Sequence, residues 1–231
     1  MASFVHVLLF VTFVAVTSAR QWPSGCIPEI PTVPHIDPEA RAGQWYNYMY
    51  LGEHPPRVND ALHSAKIGKG VVPGTRTKAM VANVQITWWT PDYKTCAGQY
   101  AQTYVTKDGR EVMVVYNYDS PQPLSLTSYA FAENYTHWQL RFFCLEKDVQ
   151  TNLCKNSNFF FNTRQRPDTL PPAVLAEYRA AVDRVLQPYC LSTNDFLTET
   201  WTTQYPVCAP NPSQCYSDLI NGLAAQFGGS G

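Results

Sequence analysis

Seven cysteines are the most explicit chemistry in the sequence: Cys26, Cys96, Cys144, Cys154, Cys190, Cys208 and Cys215. None forms a C-x-x-C pair, so zinc ribbons and thioredoxin-type dithiols fall away. In an oxidising compartment six of these thiols would pair into three bridges, leaving one over. His35, His54, His63 and His137 lack the spacing of metal ligands. The chain also lacks the G-x-S-x-G, Walker and H-E-x-x-H motifs that would place a nucleophile, a phosphate cradle or a catalytic metal. No catalytic residue and no metal ligand are therefore assigned.

Disulfides need an export route, and the N-terminus supplies one. Residues 2–17 are almost wholly apolar and end at Thr17-Ser18-Ala19, the small residues of a signal-peptide cleavage site. The run is shorter than the ~20 residues a membrane span needs, and no later segment is apolar for long enough. The mature chain is thus expected to be secreted, with residues 1–19 removed and no integral membrane contact. In that setting Asn134-Tyr135-Thr136 is an N-glycosylation sequon on Asn134. Lys+Arg 17 against Asp+Glu 18 gives a net charge of −1, without the basic footprint of a nucleic-acid binder. The 231 residues, 45% hydrophobic and 13% aromatic, suffice for one sizeable core.

The elements that must position these groups read mostly as strands. Pro23, Pro28, Pro31, Pro34 and Pro38 make residues 20–42 an extended lead-in. Strand composition then appears over 44–50, 80–89, 96–106, 111–118, 124–132, 137–145 and 158–163, with a weaker stretch over 62–72. Turn residues separate the runs at Lys107-Asp108-Gly109, Asp119-Ser120-Pro121 and Glu146-Lys147-Asp148. About eight strands at ~8–12-residue spacing indicate a sandwich or barrel. From Pro171 to Leu186, Val174, Leu175, Tyr178, Val182, Val185 and Leu186 recur at helical spacing, which predicts one amphipathic helix covering a sheet. Residues 209–231 read as a loosely attached tail.

This order resembles the lipocalins. Gly43-Gln44-Trp45-Tyr46 matches the family's G-x-W at the first strand, and Arg164 matches its arginine after the last strand. Tyr135 stands where the family has T-D-Y, with only the tyrosine kept. The cysteine placement is similar to that of the retinol-binding-protein branch, with crustacyanins and apolipoprotein D as more distant relatives. The resemblance implies an all-β, eight-stranded antiparallel up-and-down β-barrel over 43–208, with one C-terminal α-helix packed outside. It also implies the bridges Cys26–Cys190, Cys96–Cys208 and Cys144–Cys154, leaving Cys215 unpaired. Trp45 and Arg164 are expected to plug the closed end by cation–π contact.

Alternation along the strands then selects a cavity. From Trp45 it takes Asn47, Met49 and Leu51, and from Arg164 it takes Asn162, Phe160 and Asn158. Similarity to the retinol-binding branch adds Ser128 and Arg141. Met113 and Val115 lie on a strand apolar on both faces, so Val112, Val114 and Tyr116 remain their alternates. A β-bulge would invert the assignment beyond it. Buried Asn158, Asn162 and Arg141 must meet water, each other or a ligand. The resemblance implies a carrier of a small hydrophobic ligand (retinoid, carotenoid, bilin or fatty acid) with an apolar body and a polar or acidic end. No cofactor is required, and a bound chromophore would be the cargo. One rival is a lipocalin-type isomerase. The other is a surface-recognition module or oligomeric pigment subunit, for which aromatics around Trp88-Trp89 and Phe159-Phe160-Phe161 would form a homo-oligomer interface.

Overall fold

The computed structural model describes residues 36–52, 57–92, 94–107, 110–116, 124–147, 150 and 154–209. The expected signal peptide, Cys26 and Cys215 lie outside them. Eight antiparallel strands follow one another: β1 (Gly43–Leu51), β2 (Val58–Val71), β3 (Lys78–Thr90), β4 (Thr95–Thr106), β5 (Arg110–Tyr116), β6 (Leu124–Asn134), β7 (Trp138–Lys147) and β8 (Cys154–Thr163). Each pairs with the next, and β1 pairs with both β8 and β2, so the sheet closes into an up-and-down barrel. Closure satisfies the strand edges that an open sheet would expose.

Two short elements depart from the expected pattern. Within the proline-rich lead-in, α1 (Pro38–Arg41) makes one helical turn. Asp37 Oδ1 accepts from the Glu39 and Ala40 amides, and Pro38 sits where a missing N–H costs little. Near the C-terminus β9 (Leu197–Thr198) pairs with Met49 and Tyr50 of β1. It fills the seam above residue 46, where β1 and β2 no longer pair. Thr200 bridges to Val58 in parallel. Asn59, buried with φ 54°, gives its side chain wholly to this segment. Its Nδ2 donates to the Thr202 and Tyr205 carbonyls at 3.0 and 2.8 Å, and its Oδ1 accepts from the Thr202 amide at 3.0 Å.

The core divides into an outer and an inner layer. Helix α2 (Pro172–Leu186) follows Pro171 and presents Leu175, Tyr178, Val182, Val185 and Leu186 to the outside of the barrel. There they meet Leu140, Phe142, Phe159 and Phe161 of β7 and β8. Burial of side chains of this size contributes about 1.5–3 kcal/mol each. The outward Phe159 and Phe161 therefore lie beneath the helix, not on a free surface. The disulfides Cys144–Cys154 and Cys96–Cys208 tie the β7–β8 hairpin and fasten the C-terminal segment to β4. Cys190 is disulfide-bonded as well.

Candidate functional site: the barrel lumen

The closed end is built from Gly43 and the side chains of Trp45, Tyr135 and Arg164, which are spread over the sequence. Trp45 is fully buried, donates from Nε1 to the Arg41 carbonyl at 2.9 Å, and lies 3.7 Å from the Arg164 guanidinium, centroid to Cζ. Arg164 donates to the carbonyls of Ala40, Ala42 and Tyr135 at 2.6, 3.0 and 2.7 Å. Gly43 has φ +107°, a backbone conformation that favours glycine, and a Cβ there would also come within 3.2 Å of Arg164 Nη1. The Tyr135 hydroxyl accepts from the Asp37 amide at 2.8 Å. Burial, with Glu133 adding, pushes that phenol up to about 12.

Above this floor lies a buried charge network. Arg41 pairs with Glu111 and, at 2.8 Å, with Glu133. Arg141 reaches Glu111 Oε2 at 2.7 Å, and the Ser128 hydroxyl donates to the same oxygen at 2.8 Å. Glu111, Ser128 and Arg141 are at most 2% exposed. Burial lowers both guanidiniums to about 10, with Arg141's charge acting further on Arg41 and Glu133 opposing. Both stay cationic at neutral pH, so two positive charges face two carboxylates. Charges desolvated this thoroughly are tolerable only when paired and hydrogen-bonded.

A second chain of polar groups crosses the lumen wall. Gln139 Nε2 donates to Asn162 Oδ1 (3.2 Å), Asn162 Nδ2 to Asn47 Oδ1 (3.4 Å), and Asn47 Nδ2 to Glu199 Oε1 (3.1 Å). Arg41, Gln139, Arg141, Thr103, Ser64, Val105, Ala82, Val84 and Leu62 enclose a cavity of about 10 Å³, roughly one water's worth of room. Along the same inner face Val84, Ala101, Met113, Val115 and Phe143 form one apolar cluster, with Leu62, Ile86 and Phe160 packed on it. Arg57 covers Trp88 at 3.7 Å, and Tyr205 stacks on Trp89 at 5.6 Å. Among the described residues no group of three or more His, Cys, Asp or Glu is placed to hold a metal.

Solved structures share this architecture. Insecticyanin from the tobacco hornworm Manduca sexta matches with a TM-score of 0.56 and 14% identity, over 80% of this chain and 90% of its own. Lobster apocrustacyanin A1 matches at 0.52 and 12%, over 73% and 81%. A biogenic amine-binding protein matches at 0.50 and 15%, over 73% and 84%. This is the lipocalin fold. No protein-family model and no curated protein matches the sequence itself.

Within that fold, Asn47, Met113, Val115, Ser128, Arg141, Asn158, Phe160 and Asn162 share the inner face set by Trp45, as the strand register requires. Val112 and Val114 fall on the outer face, against Val81 and Tyr104. Met49 and Leu51 do not line the lumen. The β1–β8 register shifts between Asn47 and Met49, so Met49 and Leu51 pair with the outward Phe161 and Phe159 and join the core under α2. A bulge inserts one residue and exchanges the two faces beyond it; Tyr50, opposite Phe160, takes the inner position instead. Arg141 answers to Glu111 and Ser128, and Asn162 to Gln139 and Asn47, so these groups meet each other. Asn134 is exposed on the β6–β7 hairpin, its Oδ1 accepting from Thr136. Sequence reasoning missed Arg41, Thr103, Glu111, Gln139 and Glu199. A signal for two of them was present, since Glu111 is in phase with Met113 and Val115, and Gln139 with Arg141.

Proposed function

We propose that this protein is a secreted, non-catalytic carrier that holds one small hydrophobic molecule in the barrel lumen. The observation that carries this reading is the composition of the inner face. An apolar wall of Val84, Ala101, Met113, Val115 and Phe143 adjoins a short polar stretch at the closed end, as expected of a site for an apolar body with one polar end. An eight-stranded barrel has room for side chains or one small ligand. The fold's occurrence in a biogenic amine-binding protein adds support. Disulfides support an oxidising compartment, and the exposure of Asn134 supports its use as a glycan acceptor. Retinoids, carotenoids, bilins and fatty acids are the candidate cargo classes. The coverage of Trp88, Trp89, Phe159 and Phe161 by other side chains of the chain weighs against an aromatic homo-oligomer interface.

The test is an absorption spectrum of protein purified from its native source, followed by solvent extraction and mass spectrometry. A stoichiometric apolar molecule in the extract is expected, with visible absorbance if it is a carotenoid or bilin. An empty extract, together with no binding of any of the four classes at micromolar concentration by delipidated protein, sinks the carrier reading.

A further inference from the structure

The polarity of the amide chain is set by its far end. Glu199 is a carboxylate that, ionised, can only accept, so Asn47 must turn its Nδ2 toward it and its Oδ1 away. Asn162 then presents Nδ2 to Asn47 and Oδ1 to Gln139, and Gln139 is left with Nε2 as its donor. The carbonyl Gln139 Oε1 is thereby directed to the lumen end of the chain. Gln139 is 1% exposed, and among the described residues its Oε1 has no hydrogen-bond partner. The same holds for Arg141 Nε, at 2% exposure, and for Thr103 Oγ1, at 3%. All three residues line the small cavity of about 10 Å³ between the charge network and the apolar wall.

Resting on the carrier reading, we infer that this cavity is a hydroxyl subsite, and that the natural cargo is an apolar molecule whose leading end is an alcohol. The chemistry discriminates by head group. A hydroxyl oxygen accepts from Arg141 Nε–H while its hydrogen goes to Gln139 Oε1, with Thr103 free to do either. A carboxylate cannot donate to the Gln139 carbonyl, and it meets guanidiniums whose charge Glu111 and Glu133 already balance. An ammonium cannot accept from Arg141 and is repelled by it. The cavity of about 10 Å³ holds one oxygen-sized group, and Val84 and Leu62 continue its wall into the apolar cluster where the body of the molecule lies.

The experiment compares three probes with one tail, 1-dodecanol, dodecanoic acid and dodecylamine, titrated into delipidated full-length protein at pH 7.5 by tryptophan fluorescence. Dodecanol is expected to bind at least about tenfold more tightly than either charged analogue, because each charged head leaves a buried partner unsatisfied. The preference should fall to about twofold in Thr103→Val and Gln139→Leu, which remove the subsite's free oxygens. In Glu111→Gln, which unbalances the two guanidiniums, it should turn toward the acid. Equal or tighter binding of the acid or amine by the unmodified protein overturns the inference while leaving the carrier reading in place. An unchanged alcohol preference in a folded Thr103→Val or Gln139→Leu variant overturns it too. Binding of none of the three heads, with none of the larger ligand classes bound either, removes the carrier reading itself.

Discussion

Arg164 shows how one side chain can hold a barrel end without entering the cavity. Its guanidinium has one face against Trp45 and its N–H groups on the carbonyls of Ala40 in α1, Ala42, Gln44 in β1 and Tyr135 in the β6–β7 hairpin. These contacts join the α1–β1 corner, the β6–β7 hairpin and the end of β8, which are distant from one another in sequence. Arg164→Ala should lower stability by about 2–3 kcal/mol in urea denaturation, from the lost cation–π contact and charge-assisted hydrogen bonds. Arg164→Lys should recover less than half, because an ammonium cannot supply a planar fork to several carbonyls. Dodecanol affinity of the folded fraction should stay unchanged in both variants, since Arg164 does not line the lumen cavity. A weakened affinity at full folding would assign Arg164 to the site instead. The motif residues Gly43, Trp45 and Arg164 were legible in the sequence because their types are nearly irreplaceable. Glu111 was not, because a lone carboxylate on a strand is ordinarily solvated, and its partner Arg41 lies 70 residues away.

At the scale of elements, alternation reads a strand correctly only while the ladder is regular. β8 has no register shift within Asn158–Thr163, so Asn158, Phe160 and Asn162 fall on the inner face as their period requires. β1 is bulged at Tyr48, and nothing in Asn47-Tyr48-Met49-Tyr50-Leu51 marks where the extra residue goes, because every position is apolar, aromatic or an amide. Tertiary context decides it: the helix needs Tyr48, Met49 and Leu51 on the outer face, where they meet Val182 and Leu186. β9 is only two residues long, and a pair with no alternation to read carries no strand signal. The bulge makes a paired prediction. Met49→Ala should cost about 2–4 kcal/mol of stability through lost packing under α2, with probe affinity within about twofold of the original. Met113→Ala, a truncation of similar size on the inner wall, should change dodecanol affinity by roughly tenfold. Equal effects of the two on affinity would place Met49 in the lumen and remove the bulge from the account.

For the whole molecule, the C-terminal segment completes the barrel and is fastened to it by β9, by Asn59 and by one disulfide. The Cys96–Cys208 bridge closes a loop with a sequence separation of 112, whereas Cys144–Cys154 spans 10. In the chain-entropy account these correspond to roughly 5 and roughly 3 kcal/mol, so Cys96→Ser/Cys208→Ser should lose more stability than Cys144→Ser/Cys154→Ser. The reverse order in urea denaturation would mean that the segment is held mainly by Asn59 and β9. Acid should weaken the same region. His63 lies on the outer face of β2, between Gln44 and Gln85 on the neighbouring strands and next to the Cys208 backbone. Its Nε2 is buried with no partner among the described residues. Burial holds its pKa below the ordinary 6.5, and the Cys208 backbone only partly offsets this. The folded chain therefore binds this proton less readily than the unfolded chain does. The stabilisation is complete above pH 6.5 and is lost as the pH falls through and below that value. Thermal melting followed from pH 7.5 to 5 should show a decline in Tm that is shallower in His63→Gln, which keeps a polar side chain but cannot titrate. If the two slopes coincide, acid acts elsewhere, and the Cys208 end of the C-terminal segment is not what neutral pH protects.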